Sequence, residues 1–233
     1  TRLLPEWYKR NQHDWEELYE THRLDFQVQQ LEALIRAGED ATGKVFSHTR
    51  FRQEMENVNR LGELIAETRD IIAKATPCPV PLSEQLTNVM ACTWQRGSQW
   101  AIDHATAYRD EVKARADKGI GICQNEKHRL LWLNNGLWFN TAFYRYFEES
   151  HNTTFVWSMY SNFLSAFGAS GAVMLTPKAD RMSSMGTRFC QLALEQAGIP
   201  VLEIKASAVD ARLWDDDAMR AKVGKFIDER VAV

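Results

Sequence analysis

Arg129-Leu130-Leu131-Trp132-Leu133, running into Asn134-Asn135-Gly136, is the stretch on which the fold turns. Four consecutive large apolar residues closed by a polar Asn-Asn-Gly turn are too short for a helix and read as a strand buried on both faces. Downstream, short apolar runs alternate with amphipathic segments. A short helix is expected from about Asn140 to Glu149, with Phe143 and Phe147 on one face, then strands over Thr154–Met159 and Gly171–Leu175. A helix over Ser184–Ala197 ends at Gly198, Pro200 lies just beyond, and Val201–Ile204 makes a fourth strand. Asp215, Asp216 and Asp217 place negative charge at the start of a last helix, where it favours the dipole, and Met219, Val223, Phe226 and Ile227 form its apolar face. Near-continuous apolar strands separated by helices predict an α/β domain, a flavodoxin- or Rossmann-like parallel sheet covered on both faces.

Upstream of about residue 125 the period is helical. Trp15, Leu18, Tyr19, His22 and Phe26 form one stripe and Leu24, Val28, Leu31 and Ile35 a second, so this helix is expected to be buried on more than one side and to stop at Gly38. Ser47 reads as the N-cap of the next helix, with Phe46 and Phe51 spaced as a hydrophobic staple. Its apolar face runs Phe51, Met55, Val58, Leu61, Ile65 and Ile72, and Thr76-Pro77-Cys78-Pro79-Val80-Pro81 must break it. A third helix fits Ser98 to Lys118, closed by Gly119. The expected organisation is a helical region and linker over 1–125 and a parallel-sheet domain over 126–233.

Composition sets the function classes that remain. Among 233 residues, 28 lysines and arginines face 31 acidic residues, a net charge of -3, so no basic excess draws the chain to nucleic acid or to an anionic membrane. No apolar stretch approaches the ~18 residues of a spanning helix, and the opening residues lack an apolar secretion-signal core, which makes the cytoplasm the expected compartment. Cys78, Cys92, Cys123 and Cys190 form no Cys-x-x-Cys pair and read as reduced thiols. No two of the six histidines have metal-ligand spacing, and glycine-rich phosphate loops, His-Glu-x-x-His and Gly-x-Ser-x-Gly are absent.

Two segments remain as binding candidates because ligands of open parallel sheets gather at the carboxyl ends of strands. Asn134, Asn135 and Gly136 follow the first strand and offer backbone N–H groups, or form a plain strand-to-helix turn. Asp180, Arg181, Ser183, Ser184 and Gly186 follow the third strand, where Ser183 or Ser184 otherwise serves as the N-cap of the next helix.

Several stretches resemble the 2-hydroxyacyl-CoA dehydratase and benzoyl-CoA reductase family. They are His13-Asp14-Trp15-Glu16-Glu17-Leu18-Tyr19 with His22-Arg23-Leu24-Asp25, Trp138-Phe139-Asn140-Thr141 leading to Tyr146-Phe147-Glu148-Glu149, and Phe155-Val156-Trp157-Ser158-Met159-Tyr160. Ala197-Gly198-Ile199-Pro200-Val201-Leu202-Glu203-Ile204 with Val209-Asp210-Ala211-Arg212 completes the set, in the family's order. The resemblance implies flavodoxin-like domains, a paralogous partner subunit, three cysteines per subunit on a [4Fe–4S] cluster, and an ATP-dependent iron–sulfur activator that injects one electron. It also implies an acyl-CoA substrate: a 2-hydroxyacyl-CoA dehydrated through a ketyl radical, or an aromatic acyl-CoA reduced by the same electron chemistry. Asp180 stands where the family usually carries a cluster cysteine, so no metal ligand is assigned and a cluster-less accessory subunit is the third reading. The abrupt start at Thr1 and the short link at 161–170 are read as signs of an incomplete chain.

Overall fold

The structure is a computed structural model and describes residues 21–158, 167–177 and 186–232. The chain separates into two compact units, 1–52 and 53–233.

In the first unit, α1 (Thr21–Thr42) runs straight through Gly38 and ends one turn later, where Gly43 adopts φ 67° and its N–H bonds the Glu39 carbonyl. The expected stop at Gly38 is therefore displaced, because one helical glycine costs only about 1 kcal/mol and does not break the hydrogen-bond ladder. Among the described residues of the two stripes, Leu24, Phe26, Val28 and Leu31 are exposed rather than buried as expected, and Ile35 is half-buried. Trp15, Leu18 and Tyr19 lie outside the described residues. The next helix, α2 (His48–Lys74), starts as expected. Ser47 Oγ accepts the Arg50 N–H at 3.2 Å, and the Phe46 and Phe51 rings lie 5.7 Å apart.

In the second unit α2 buries Leu61, Leu64, Thr68 and Ile72, and it ends before Thr76-Pro77. A helix that the sequence reading passed over, α3 (Leu82–Trp94), follows the prolines at once, with the Pro81 carbonyl accepting the Gln85 N–H. The next, α4 (Gln99–Asp117), is capped by Ser98, whose hydroxyl accepts the Ala101 N–H. Leu61, Leu64, Cys92, Ala101 and Ala105 pack these three helices together.

The sheet comprises β1 (His128–Asn134), β2 (Thr153–Ser158), β3 (Gly171–Pro177) and β4 (Val201–Ala206), all parallel, in the order β2-β1-β3-β4. Helices α5 (Ala142–Ser150) and α6 (Thr187–Gln196) follow β1 and β3, and α7 (Asp216–Phe226) follows β4. This is the expected flavodoxin-like α/β arrangement. The link between β2 and β3 is residues 159–170, of which 159–166 lie outside the described residues. Ser183 and Ser184, the expected caps of α6, also lie outside them; the N-cap position belongs to Gly186, at φ 90°. Asp215 caps α7 through the Ala218 N–H.

Period-two alternation distributes β1 between two cores. Leu130 and Trp132 face α5, α7 and Leu82 and Leu86 of α3, in a cluster holding Phe143, Tyr144, Phe147, Phe155 and Phe226. Leu131 and Leu133 face the other way, against Ile72, Cys78, Val80, Val112 and Leu194. Segments on both sides of residue 125 thus share cores with the sheet. No helix among the described residues is long and apolar enough to cross a membrane.

Candidate functional site

The strand order defines a particular place on the sheet. From β1 the chain crosses through α5, packed on the Trp132 face, to β2 on one side. From β3 it crosses through α6, whose Leu194 packs on the opposite face, to β4 on the other side. The connections leaving β1 and β3 therefore diverge from two strands that are directly hydrogen-bonded, Asn134 beside Leu175. Such a switch point at the carboxyl edge is where open parallel sheets take ligands.

The β1 side of this edge is held by its own residues. Asn134 sits at φ 76°, which asparagine tolerates better than most residues, and turns the chain out of the strand. The Asn135 carbonyl accepts the Trp132 indole N–H at 2.8 Å, and the Leu137 N–H bonds the Tyr144 hydroxyl at 2.9 Å. Gly136 is buried; a Cβ there would lie 2.7 Å from a methyl of the buried Leu86. Its glycine is explained by close packing against α3.

Residues that sequence reasoning did not single out complete the edge. The Asn140 amide donates to Asp216 Oδ1 at 2.7 Å, and the Trp214 indole N–H donates to the same oxygen at 3.0 Å. Arg220 pairs with Asp216 Oδ2 at 2.6 Å, and its guanidinium lies 4.7 Å from the centre of the Tyr146 ring. Phe139 packs edge-on against Trp214. The loop after β1 and the start of α7 are thereby locked together. The signal was present in Trp138-Phe139-Asn140 and Asp215-Asp216-Asp217, but only the third dimension pairs them.

On the β3 side, Thr176 Oγ1 is buried and has no hydrogen-bond partner among the described residues, one residue from the end of the strand. Gly186 opens α6 from this edge. Asp180, Arg181, Ser183 and Ser184 lie outside the described residues.

The amino edge carries a buried ion pair instead. Arg129 Nε donates to Glu126 Oε1 at 2.6 Å with both side chains at most 7% exposed. The guanidinium also donates to the carbonyls of Ile72, Ala73 and Ala75, the unpaired end of α2, and to that of Phe167. Glu126 in turn accepts the Cys78 N–H. One pair thus fastens α2, the proline-rich segment and β1.

The thiols do not fit an iron–sulfur cluster. Cys78 donates to the Val80 carbonyl at 3.3 Å, and burial pushes its thiol up to about 12. Burial also raises Cys92 and Cys123, and Cys123 donates to the Glu148 carbonyl. Cluster ligation requires converging thiolates, and no three cysteine, histidine or acidic side chains converge on a metal site among the described residues.

A family model described as 2-hydroxyglutaryl-CoA dehydratase, D-component, matches residues 11–164, more than half of the chain. No match was found among curated proteins.

Proposed function

The chain belongs to the family of the 2-hydroxyglutaryl-CoA dehydratase D-component, and on that premise we propose that it serves as one subunit of an enzyme removing water from a 2-hydroxyacyl-CoA. The observation that supports the reading is the strand order, which puts Asn134, Asn135 and Thr176 at the carboxyl ends of the adjacent strands β1 and β3, where their connections diverge. A CoA ester brings phosphates and a thioester carbonyl. Both α5 and α6 begin at this edge, so their positive dipole ends suit those oxygens. Arg181, between β3 and α6, would add a charge-assisted contact to phosphate, and the hydroxyls of Ser183 and Ser184 would add neutral ones. The Asn140–Asp216–Arg220 lock would keep this edge rigid while the acyl group is held, which limits the ordering entropy lost on binding.

A D-component implies a partner component, so the unit to test is the complex. The ketyl-radical chemistry of the resemblance draws its electron from a cluster, and the thiols of this chain do not converge on a site for one. The partner's cluster, fed by an ATP-dependent activator, would provide the electron, while this chain positions the thioester. The non-converging thiols also favour a second reading, a cluster-less accessory subunit that assembles the complex without touching substrate.

The test is turnover of the purified complex, with activator and reductant, on 2-hydroxyacyl-CoA and benzoyl-CoA side by side. Formation of a 2-enoyl-CoA is the expected result. A ring-reduced diene from benzoyl-CoA transfers the chain to the reductase branch. Unchanged turnover in Asn134→Ala and Asp180→Ala complexes leaves only the accessory role.

A further inference from the structure

A cavity of about 740 Å³ lies between α5 and the segments around Ser83 and Cys123. Its charged wall comes from α5: Arg145, Glu148 and Glu149. Arg145 bonds Glu149 at 2.8 Å, so those two neutralise each other. Among the described residues Glu148 makes no ion pair, and its Oε1 is buried without a hydrogen-bond partner. A buried carboxyl oxygen left unpaired costs about 1–3 kcal/mol, and Glu148 reaches the cavity wall with no ion-pair partner among the described residues. Ser83, Gln124, Thr141 and Asn152 complete the wall with neutral donors and acceptors.

We propose that this cavity is a receptor for a small organic cation bearing a primary ammonium group, which supplies the counter-charge that Glu148 lacks. The terminal carboxyl torsion of glutamate is soft, so either oxygen can turn toward the cavity. An ammonium has three N–H donors; Glu148 takes one, and the Ser83, Gln124 and Asn152 oxygens are suited to the others. The volume leaves room for a short alkyl chain. An anion is disfavoured because Arg145 is already committed and Glu148 would repel it.

Binding must then depend on pH. Burial pushes the Glu148 carboxyl up to about 7, with Arg145 opposing and Glu149 reinforcing the shift. The other titratable groups that feel it are Cys123, in the segment before β1, and Cys78, in the proline-rich segment. Both thiols are raised by burial and stay neutral through this range. An alkylammonium keeps its charge well above pH 8, so the carboxyl alone sets the dependence.

The test is calorimetric titration of the full chain with n-butylammonium chloride, with 1-butanol and sodium acetate as neutral and anionic probes. Saturable butylammonium binding at pH 8, about tenfold weaker at pH 6 as the carboxyl protonates, is expected. Neither butanol nor acetate should bind. Glu148→Gln should abolish the binding with the melting transition retained. No saturable binding of butylammonium at pH 8, equal affinity at pH 6 and 8 in the unaltered chain, or binding that survives in Glu148→Gln would overturn the proposal, as would acetate bound in its place.

Discussion

At the scale of single residues, the strongest structural demand falls on Arg129. Its guanidinium answers Glu126 with two N–H groups and the end of α2 with the rest, a fork geometry that a lysine ammonium does not reproduce. Arg129→Ala leaves Glu126 buried and uncompensated, so a loss of about 3–5 kcal/mol is expected. Arg129→Lys should recover less than half of that. A urea titration of both variants decides it; a loss near zero for the alanine variant means the pair is ornamental. Glu148 gives the opposite lesson. Its carboxyl is raised to about 7 in the fold from an ordinary 4.5, so the folded state holds the proton more tightly than the unfolded chain. Stability from this group is full below pH 4.5 and is lost as pH rises toward 7 and beyond. Glu148→Gln should therefore stabilise the chain by about 1–2 kcal/mol at pH 8, allowing for the water that still reaches the site, and leave it unchanged at pH 4.5. Melting temperatures at the two pH values test the sign.

At the scale of elements, the contact between Gly136 and Leu86 joins the turn after β1 to α3. A Gly136→Ala methyl meets Leu86 at 2.7 Å. Leu86 is the end of a flexible side chain, yet it is itself buried, so relief requires repacking of the core around Trp132. A loss of about 1–3 kcal/mol is expected. Pairing it with Leu86→Ala should recover much of the penalty, and a double-mutant cycle showing plain additivity would refute the contact. The same pair shows where sequence reading stops. Arg129–Leu133 declares a strand because an unbroken apolar run needs cover on both faces, and nothing distant is required to see that. Gly136 looks identical whether it cradles a ligand or yields to a leucine 50 positions earlier. Likewise, Pro77, Pro79 and Pro81 plainly end α2, but the fact that Pro81 also opens α3 depends on a ring whose fixed φ suits a helix start as well as a break. In α1 the periodicity specifies a helix and two stripes, while their exposure depends on neighbours that periodicity does not encode.

At the scale of the whole sheet, the two edges have been given different work. The amino edge is closed by charge, with Glu126 and Arg129 tying β1 to α2 and to the proline-rich segment. The carboxyl edge is where the chain diverges to opposite faces and where Asn140, Trp214 and Asp216 brace the loops. The ion pair is buried at one end, and at the other the Thr176 hydroxyl has no hydrogen-bond partner among the described residues beside a loop already braced by Asp216. The sequence reading already put Asn134–Gly136 and the segment after β3 on a common edge, since parallel strands require it. The order β2-β1-β3-β4, which no local pattern contains, adds that these two connections leave adjacent strands in opposite directions. Hydrogen exchange on the complex with bound acyl-CoA should accordingly slow the amides of 134–141 and 206–216, on the β1 and β4 sides of that edge. The amides of 122–128 and 150–153 at the amino edge should exchange as before. Protection confined to the amino edge would place the thioester at the wrong end of the sheet, and with it the role proposed for the strand order.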